Sequence, residues 1–140
     1  MSAVRLTRRV RFEAAHRLWS AQLDEAGNRQ VYGKCARDGG HGHNYEVEVT
    51  LDGPVDEQSG LLIVREDLDR ILSEHLVSRC DHRNLDDVIG PDEVSTGENL
   101  ARIFFDWVEP QIPAPARLAR LRVYETPRNV FEARAEGEPR

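Results

Sequence analysis

The stretch that most constrains the fold is "HGHNYEVEVTL", His41 to Leu51. His41, His43, Tyr45, Val47, Val49 and Leu51 share one parity, and Gly42, Asn44, Glu46, Glu48 and Thr50 share the other. Alternation sustained over this length is the period of a β-strand with one apolar and one polar face. "DGP" at Asp52–Pro54 ends the run. The apolar face opens with two imidazoles. Residues i and i+2 of a strand lie about 6–7 Å apart on one face, so His41 and His43 can reach one ion from one side.

A second alternating run precedes it. Val4, Leu6, Val10 and Phe12 fall on one parity, with Arg5, Thr7, Arg9, Arg11 and Glu13 on the other, and Arg8 breaks the pattern. Residues 4–16 therefore read as a strand, with His16 on the face of Phe12. Residues 17–34, with "DEAGNRQ" in the middle, read as an irregular loop, a length that often serves function.

Helical spacing follows. Leu68, Ile71, Leu72 and Leu76 in "REDLDRILSEHLVSR" predict one helix, with Glu66 and Asp67 in the first turn, where the dipole favours them. Leu100, Ile103, Phe104, Trp107 and Val108 in "STGENLARIFFDWV" predict a second. Ser95 and Glu98 form a capping-box pattern at its start, and Pro110 stops it. "RLARLRVYE" and "NVFEARA", joined by "TPRN", read as two more strands. The order ββααββ predicts an α+β domain: a four-stranded antiparallel sheet with two helices on one face.

At 140 residues one domain over 1–140 is expected. The formal charge of −6 argues against general nucleic-acid binding, which needs a basic footprint. A small anionic ligand stays open, because a local basic cluster can act inside an acidic protein. Two cysteines, Cys35 and Cys80, do not make a disulfide scaffold. No window is apolar enough for a membrane span or a signal segment, so a reducing cytoplasm is the expected setting.

Five histidines are present, and His16, His41 and His43 fall at strand ends. If the first two strands pair antiparallel, His16 lies beside the other two. Three neutral imidazoles with an open fourth position suit a catalytic zinc site, while imidazole also suits copper, iron and nickel. Cys35 precedes His41 across the five residues "ARDGG". Near a dication and Lys34 its thiolate would be enriched and could act as a base. It could equally be a fourth ligand closing a structural site, or an inert thiol.

"RFEAAHRL", "YGKCARDGGHGHNYEVEVTL", "CDHRNLDD", "VSTGENLA" and "VYET" occur in this order. Together they resemble the 6-pyruvoyltetrahydropterin synthase family, which includes the 6-carboxytetrahydropterin synthases of queuosine biosynthesis. The resemblance runs from about Arg9 to about Phe131. It implies the tunnelling fold (T-fold) and homohexamers, built as dimers of trimers, with active sites between subunits. It implies that His16, His41 and His43 bind zinc, that Cys35 is the catalytic base and that Asp81 and His82 relay or orient a proton. It further implies that Glu125 anchors the pterin, with Thr96 and Glu98 as further substrate contacts. Read without the resemblance, Asp81–His82 is a turn pair, Glu125 a surface charge and "STGEN" a helix cap.

The activity implied is a lyase reaction on 7,8-dihydroneopterin triphosphate. Triphosphate leaves, the side chain is internally oxidised and the ring is reduced, without nicotinamide. The pyruvoyl product, of tetrahydrobiopterin biosynthesis, is favoured over the carboxy product, which is formed with loss of acetaldehyde. The carboxy enzymes typically have a shorter gap between the cysteine and "HGH". A non-catalytic zinc- or pterin-binding module is the reading from another class. Val64, Gly97 and Cys80 depart from the commoner residues of the family, and Cys80 reads as a packing residue.

Overall fold

The computed structural model describes residues 3–138. Strand β1 (Ala3–His16) pairs antiparallel with β2 (His41–Pro54), in register from Ala3 opposite Pro54 to His16 opposite His41. Between them lie a short helix, α1 (Glu25–Tyr32), and a 3₁₀ turn over Gly33–Ala36. After β2 come α2 (Arg65–Leu72), a π-turn over Ser73–Val77 and a last helical turn, α3 (Ser78–Cys80). The two-residue β3 (Arg83–Asn84) leads into α4 (Leu85–Ile89), and then α5 (Gly97–Val108). The hairpin β4 (Arg117–Thr126) and β5 (Asn129–Arg134) completes the sheet, in the order β3-β1-β2-β4-β5.

The sheet thus has five strands rather than the expected four. The extra one, β3, runs parallel to β1 at Ala14 and Ala15, and is too short to show any alternation. The expected long loop also contains α1. Its signal was polar rather than periodic: Asp24 caps it, accepting from the Gly27 N–H at 2.7 Å. The buried Asn28 side chain stitches the preceding loop, accepting from Ser20 N–H at 2.6 Å and donating to three backbone carbonyls.

One face of the sheet carries the core. Val47, Val49 and Leu51 are fully buried against Leu68, Leu72, Leu76, Leu100 and Phe104. Burying each such side chain contributes roughly 1.5–3 kcal/mol. Leu68, Leu72, Leu76 and Cys80 recur every four residues, and all are buried. An α-helix at 3.6 residues per turn would rotate such a repeat by about 40° each step. The π-turn between Leu72 and Ser78 unwinds the helix and keeps the repeat facing the sheet.

Arg8, the break in the β1 pattern, points to this helix-covered side and grips Asp69 of α2 with two hydrogen bonds, at 2.9 and 2.8 Å. The opposite face is charged. Arg9 and Arg122 flank the buried Glu48, and Arg122 also donates to Glu132 at 2.6 Å.

The start of α5 differs from expectation. Its N-cap is Thr96, which accepts from the Asn99 N–H at 3.2 Å, so Ser95 and Glu98 do not form a capping box. Gly97 packs on β5 so closely that a Cβ there would lie 2.1 Å from the Phe131 ring. The departure at Gly97 is therefore matched by an aromatic ring in the same space.

Candidate metal centre and active site

The β1–β2 register brings His16 across from His41, and strand parity puts His43 beside it. The three rings pack edge to face, with centroids 4.6 to 5.1 Å apart. One nitrogen from each lies within 4.8 Å of the others. Gly40 lets the loop reach this point: at φ +71, a Cβ would lie 2.5 Å from the His16 carbonyl oxygen.

The donor set fits a cation. His16 donates from Nδ1 to the Ser95 carbonyl at 2.8 Å, which leaves Nε2 as a lone-pair donor. Ser95 in turn donates to Asp86 at 2.5 Å, and Asp86 accepts from the Arg17 N–H at 2.8 Å, locking the residue after His16. Nε2 of His43 is buried without a hydrogen-bond partner, an orphan that an ion would satisfy. Burial, and then the neighbouring His16 and His41, push the His43 pKa down to about 4. Burial also lowers that of His16. Both rings are thus held neutral, the form that ligates a metal.

Glu125, near the end of β4, faces the cluster. Its carboxylate oxygens lie 3.9 Å from His16 Nε2 and 4.0 Å from His43 Nε2. With the imidazoles neutral, these are close approaches rather than ion pairs. Burial, and then the charge of Glu98, hold the Glu125 carboxyl above the usual range. A concavity of about 480 Å³ runs beside it, lined by His43, Glu46, Tyr124 and Glu125 among others.

Asp81 and His82 stand at the β3 edge of the sheet. Glu13 of β1 clamps the pair: its N–H donates to Asp81 at 3.0 Å, and its carbonyl accepts from the His82 N–H at 2.6 Å. His82 sits at φ +58, an uncommon backbone for a residue with a side chain. Asp81 lies 3.0 Å from His82 Nδ1, so the adjacent residues do touch. The Glu13 N–H, and then His82, hold the Asp81 carboxyl below its usual range. His82 and His43 line one concavity of about 550 Å³.

Cys35 lies on the 3₁₀ turn before the glycine loop, with its carbonyl accepting from the Leu18 N–H at 2.8 Å. It is a half-buried free thiol. Among the described residues it makes no hydrogen bond to His82 or to the histidine cluster. Cys80 is buried in the core, and that burial pushes its thiol up to about 12.

Sequence reasoning did not assign Ser95, Asp86 or Tyr45 to the site. Tyr45 could have been found, since it continues the parity of His43, and its hydroxyl lies 3.4 Å from the His16 ring nitrogens. Ser95 and Asp86 meet His16 only through tertiary packing.

A sheet with helices on one face and three imidazoles at its end is the arrangement expected of a tunnelling-fold protein with a trihistidine cluster. A family model described as 6-pyruvoyl tetrahydropterin synthase matches residues 5–136. The chain is 40% identical over 131 residues to the 6-pyruvoyl tetrahydrobiopterin synthase of Drosophila melanogaster, covering 92% of this chain and 78% of that one. The structure of Caenorhabditis elegans 6-pyruvoyl tetrahydropterin synthase matches with a TM-score of 0.91 at 38% identity, over 97% of this chain and 98% of that one. A putative 6-carboxy-5,6,7,8-tetrahydropterin synthase of Archaeoglobus fulgidus matches over less, 38% identical across 86 residues, or 61% of this chain and 67% of that one. The chain belongs to the 6-pyruvoyl tetrahydropterin synthase family.

Proposed function

We propose that this chain is a zinc-dependent lyase that converts 7,8-dihydroneopterin triphosphate to 6-pyruvoyltetrahydropterin with loss of triphosphate. The observation that carries the reading is the cluster of His16, His41 and His43 with the Glu125 carboxylate 3.9 to 4.0 Å from two of its nitrogens. The match along most of the chain to relatives named for the pyruvoyl product supports that product.

His16, His41 and His43 would hold the zinc, which supplies Lewis acidity that makes neighbouring C–H bonds of the substrate more acidic. Glu125 would accept the paired N–H groups of the pterin edge, a two-point hold that fixes the ring. Thr96 and Glu98, at the start of α5, would border the same ring. Cys35 would remove a proton from side-chain carbon as thiolate, and His82, steadied by Asp81, would return one. Fixing these groups around one substrate converts the proton transfers into local steps.

A homohexamer, as a dimer of trimers, would complete the site. The sheet ends in two unpaired edges, at β3 and β5, which favour strand pairing with further copies. Among the described residues no hydrogen bond joins Cys35 to His82, which suits a site shared between subunits. The two free cysteines suit a reducing cytoplasm.

The test is to incubate the zinc-loaded protein with 7,8-dihydroneopterin triphosphate and follow products by mass spectrometry. Triphosphate and the pyruvoyl product without acetaldehyde are expected. Stoichiometric acetaldehyde would show the carboxy reaction instead, and unchanged substrate would show a binding module.

A further inference from the structure

The roles above leave unassigned a group of cations beside Cys35. Arg29, Gly33, Lys34, Arg37 and Asp38 line a concavity of about 440 Å³. Lys34 is the only lysine among the 19 basic residues of the chain, and it directly precedes Cys35. Lys34 on the 3₁₀ turn and Arg37 just after it line this concavity together, and the Arg37 N–H donates to the Lys34 carbonyl at 3.2 Å.

Their charges are available. Asp38 is engaged by Arg17 at 3.0 Å, and Arg29 shares Glu25 at 3.3 Å. Among the described residues, Lys34 and Arg37 are in no ion pair, whereas most arginines of the charged sheet face are paired. A pair of free cations on one turn of a chain with net charge −6 is a local inversion of the protein's field.

We propose that Lys34 and Arg37, with Arg29 behind them, seat the triphosphate tail of the substrate. The ester oxygen and the carbon that loses its proton belong to the same short side chain. If Cys35 reaches that carbon, the first phosphate lies within a few bonds of it, near the turn that also carries Lys34. A polyphosphate carries several negative charges, and an acidic protein repels it unless a basic lip receives it. Arginine adds paired N–H donors that match phosphate oxygens, and lysine a point charge. Rival cations are dispersed: Arg83 lines the His82 concavity beside Glu13, and Arg128 stands on the β4–β5 turn. That the ligand is the substrate's own tail rests on the pterin synthase reading; that the turn takes a polyphosphate does not.

The probe is inorganic tripolyphosphate, titrated calorimetrically into zinc-loaded protein at fixed ionic strength, with orthophosphate for comparison. Arg37→Gln should weaken tripolyphosphate binding about tenfold and Lys34→Gln/Arg37→Gln about a hundredfold, the loss of one and two charge-assisted contacts. Both variants keep the histidines, so the loss is not one of metal chelation. Arg83→Gln should leave the affinity unchanged. Because Lys34 is the sole lysine, amine acylation read by peptide mass spectrometry reports it directly, and tripolyphosphate should protect it where orthophosphate does not. Unprotected Lys34, unchanged binding in the double variant, or loss of binding in Arg83→Gln would each overturn the seat. Tripolyphosphate binding without turnover would refute the synthase reading and keep the seat. Turnover with an unchanged KM in Arg37→Gln would do the reverse.

Discussion

The two halves of β2 share one strand and one face, yet have opposite tasks. Val47, Val49 and Leu51 are fully buried under the helices, with only apolar neighbours to satisfy. His41 and His43, one and three residues into the same strand, lie past the end of that cover and meet His16 and Glu125. The strand supplies identical spacing to both halves. What differs is whether the side chain carries a lone pair and whether a helix covers it. A rigid packed half holding a polar half in place is how a sheet positions ligands more exactly than a loop can.

The largest break should come from the polar half. His43→Ala should abolish tight metal binding and reduce turnover by roughly a thousandfold or more, while leaving the metal-free fold intact. Metal content by mass spectrometry and circular dichroism would check both parts. Leu51→Ala, on the packed half, should do the opposite. It should cost about 2–5 kcal/mol in denaturant unfolding, with the folded fraction still binding metal.

A smaller effect is expected one shell out. Asp86→Ala frees Ser95, and through it His16, and should weaken metal affinity by roughly 10–100-fold without removing a ligand. A chelator competition titration measures it.

Acid should distinguish the halves as well. His16 and His43 are held neutral in the metal-free fold, while the unfolded chain protonates them at their ordinary values. Between pH 6.5 and about 4 the unfolded state therefore binds more protons, so stability falls as pH falls through that window. His43→Ala should flatten this slope in metal-free protein, and Leu51→Ala should not. Arg8→Ala should have the smallest effect. It removes an exposed pair with Asp69, and unfolding should shift by no more than about 1 kcal/mol.

Much of this contrast was legible in the sequence. Alternation located β1 and β2, and parity, given antiparallel pairing of the two strands, placed His16, His41 and His43 together. The helix stripes gave the two covering helices. Features without a period stayed hidden. The two residues of β3 pair just after a turn that Glu13 clamps, and α1 is held by Asp24 and Asn28 rather than by an apolar face. The capping role passed from Ser95 to Thr96 because Ser95 is engaged by Asp86 and His16. Cys35 and His82 come from motifs whose meaning depends on tertiary placement, and strand parity says nothing of either.

The most direct test of the contrast within β2 is the metal content of three zinc-reconstituted proteins: unaltered, Leu51→Ala and His43→Ala. About one zinc per folded chain is expected in the first two, and almost none in the third. A His43→Ala protein that retained its zinc, or an unaltered protein that bound none, would contradict the assignment of this strand's polar half to a metal.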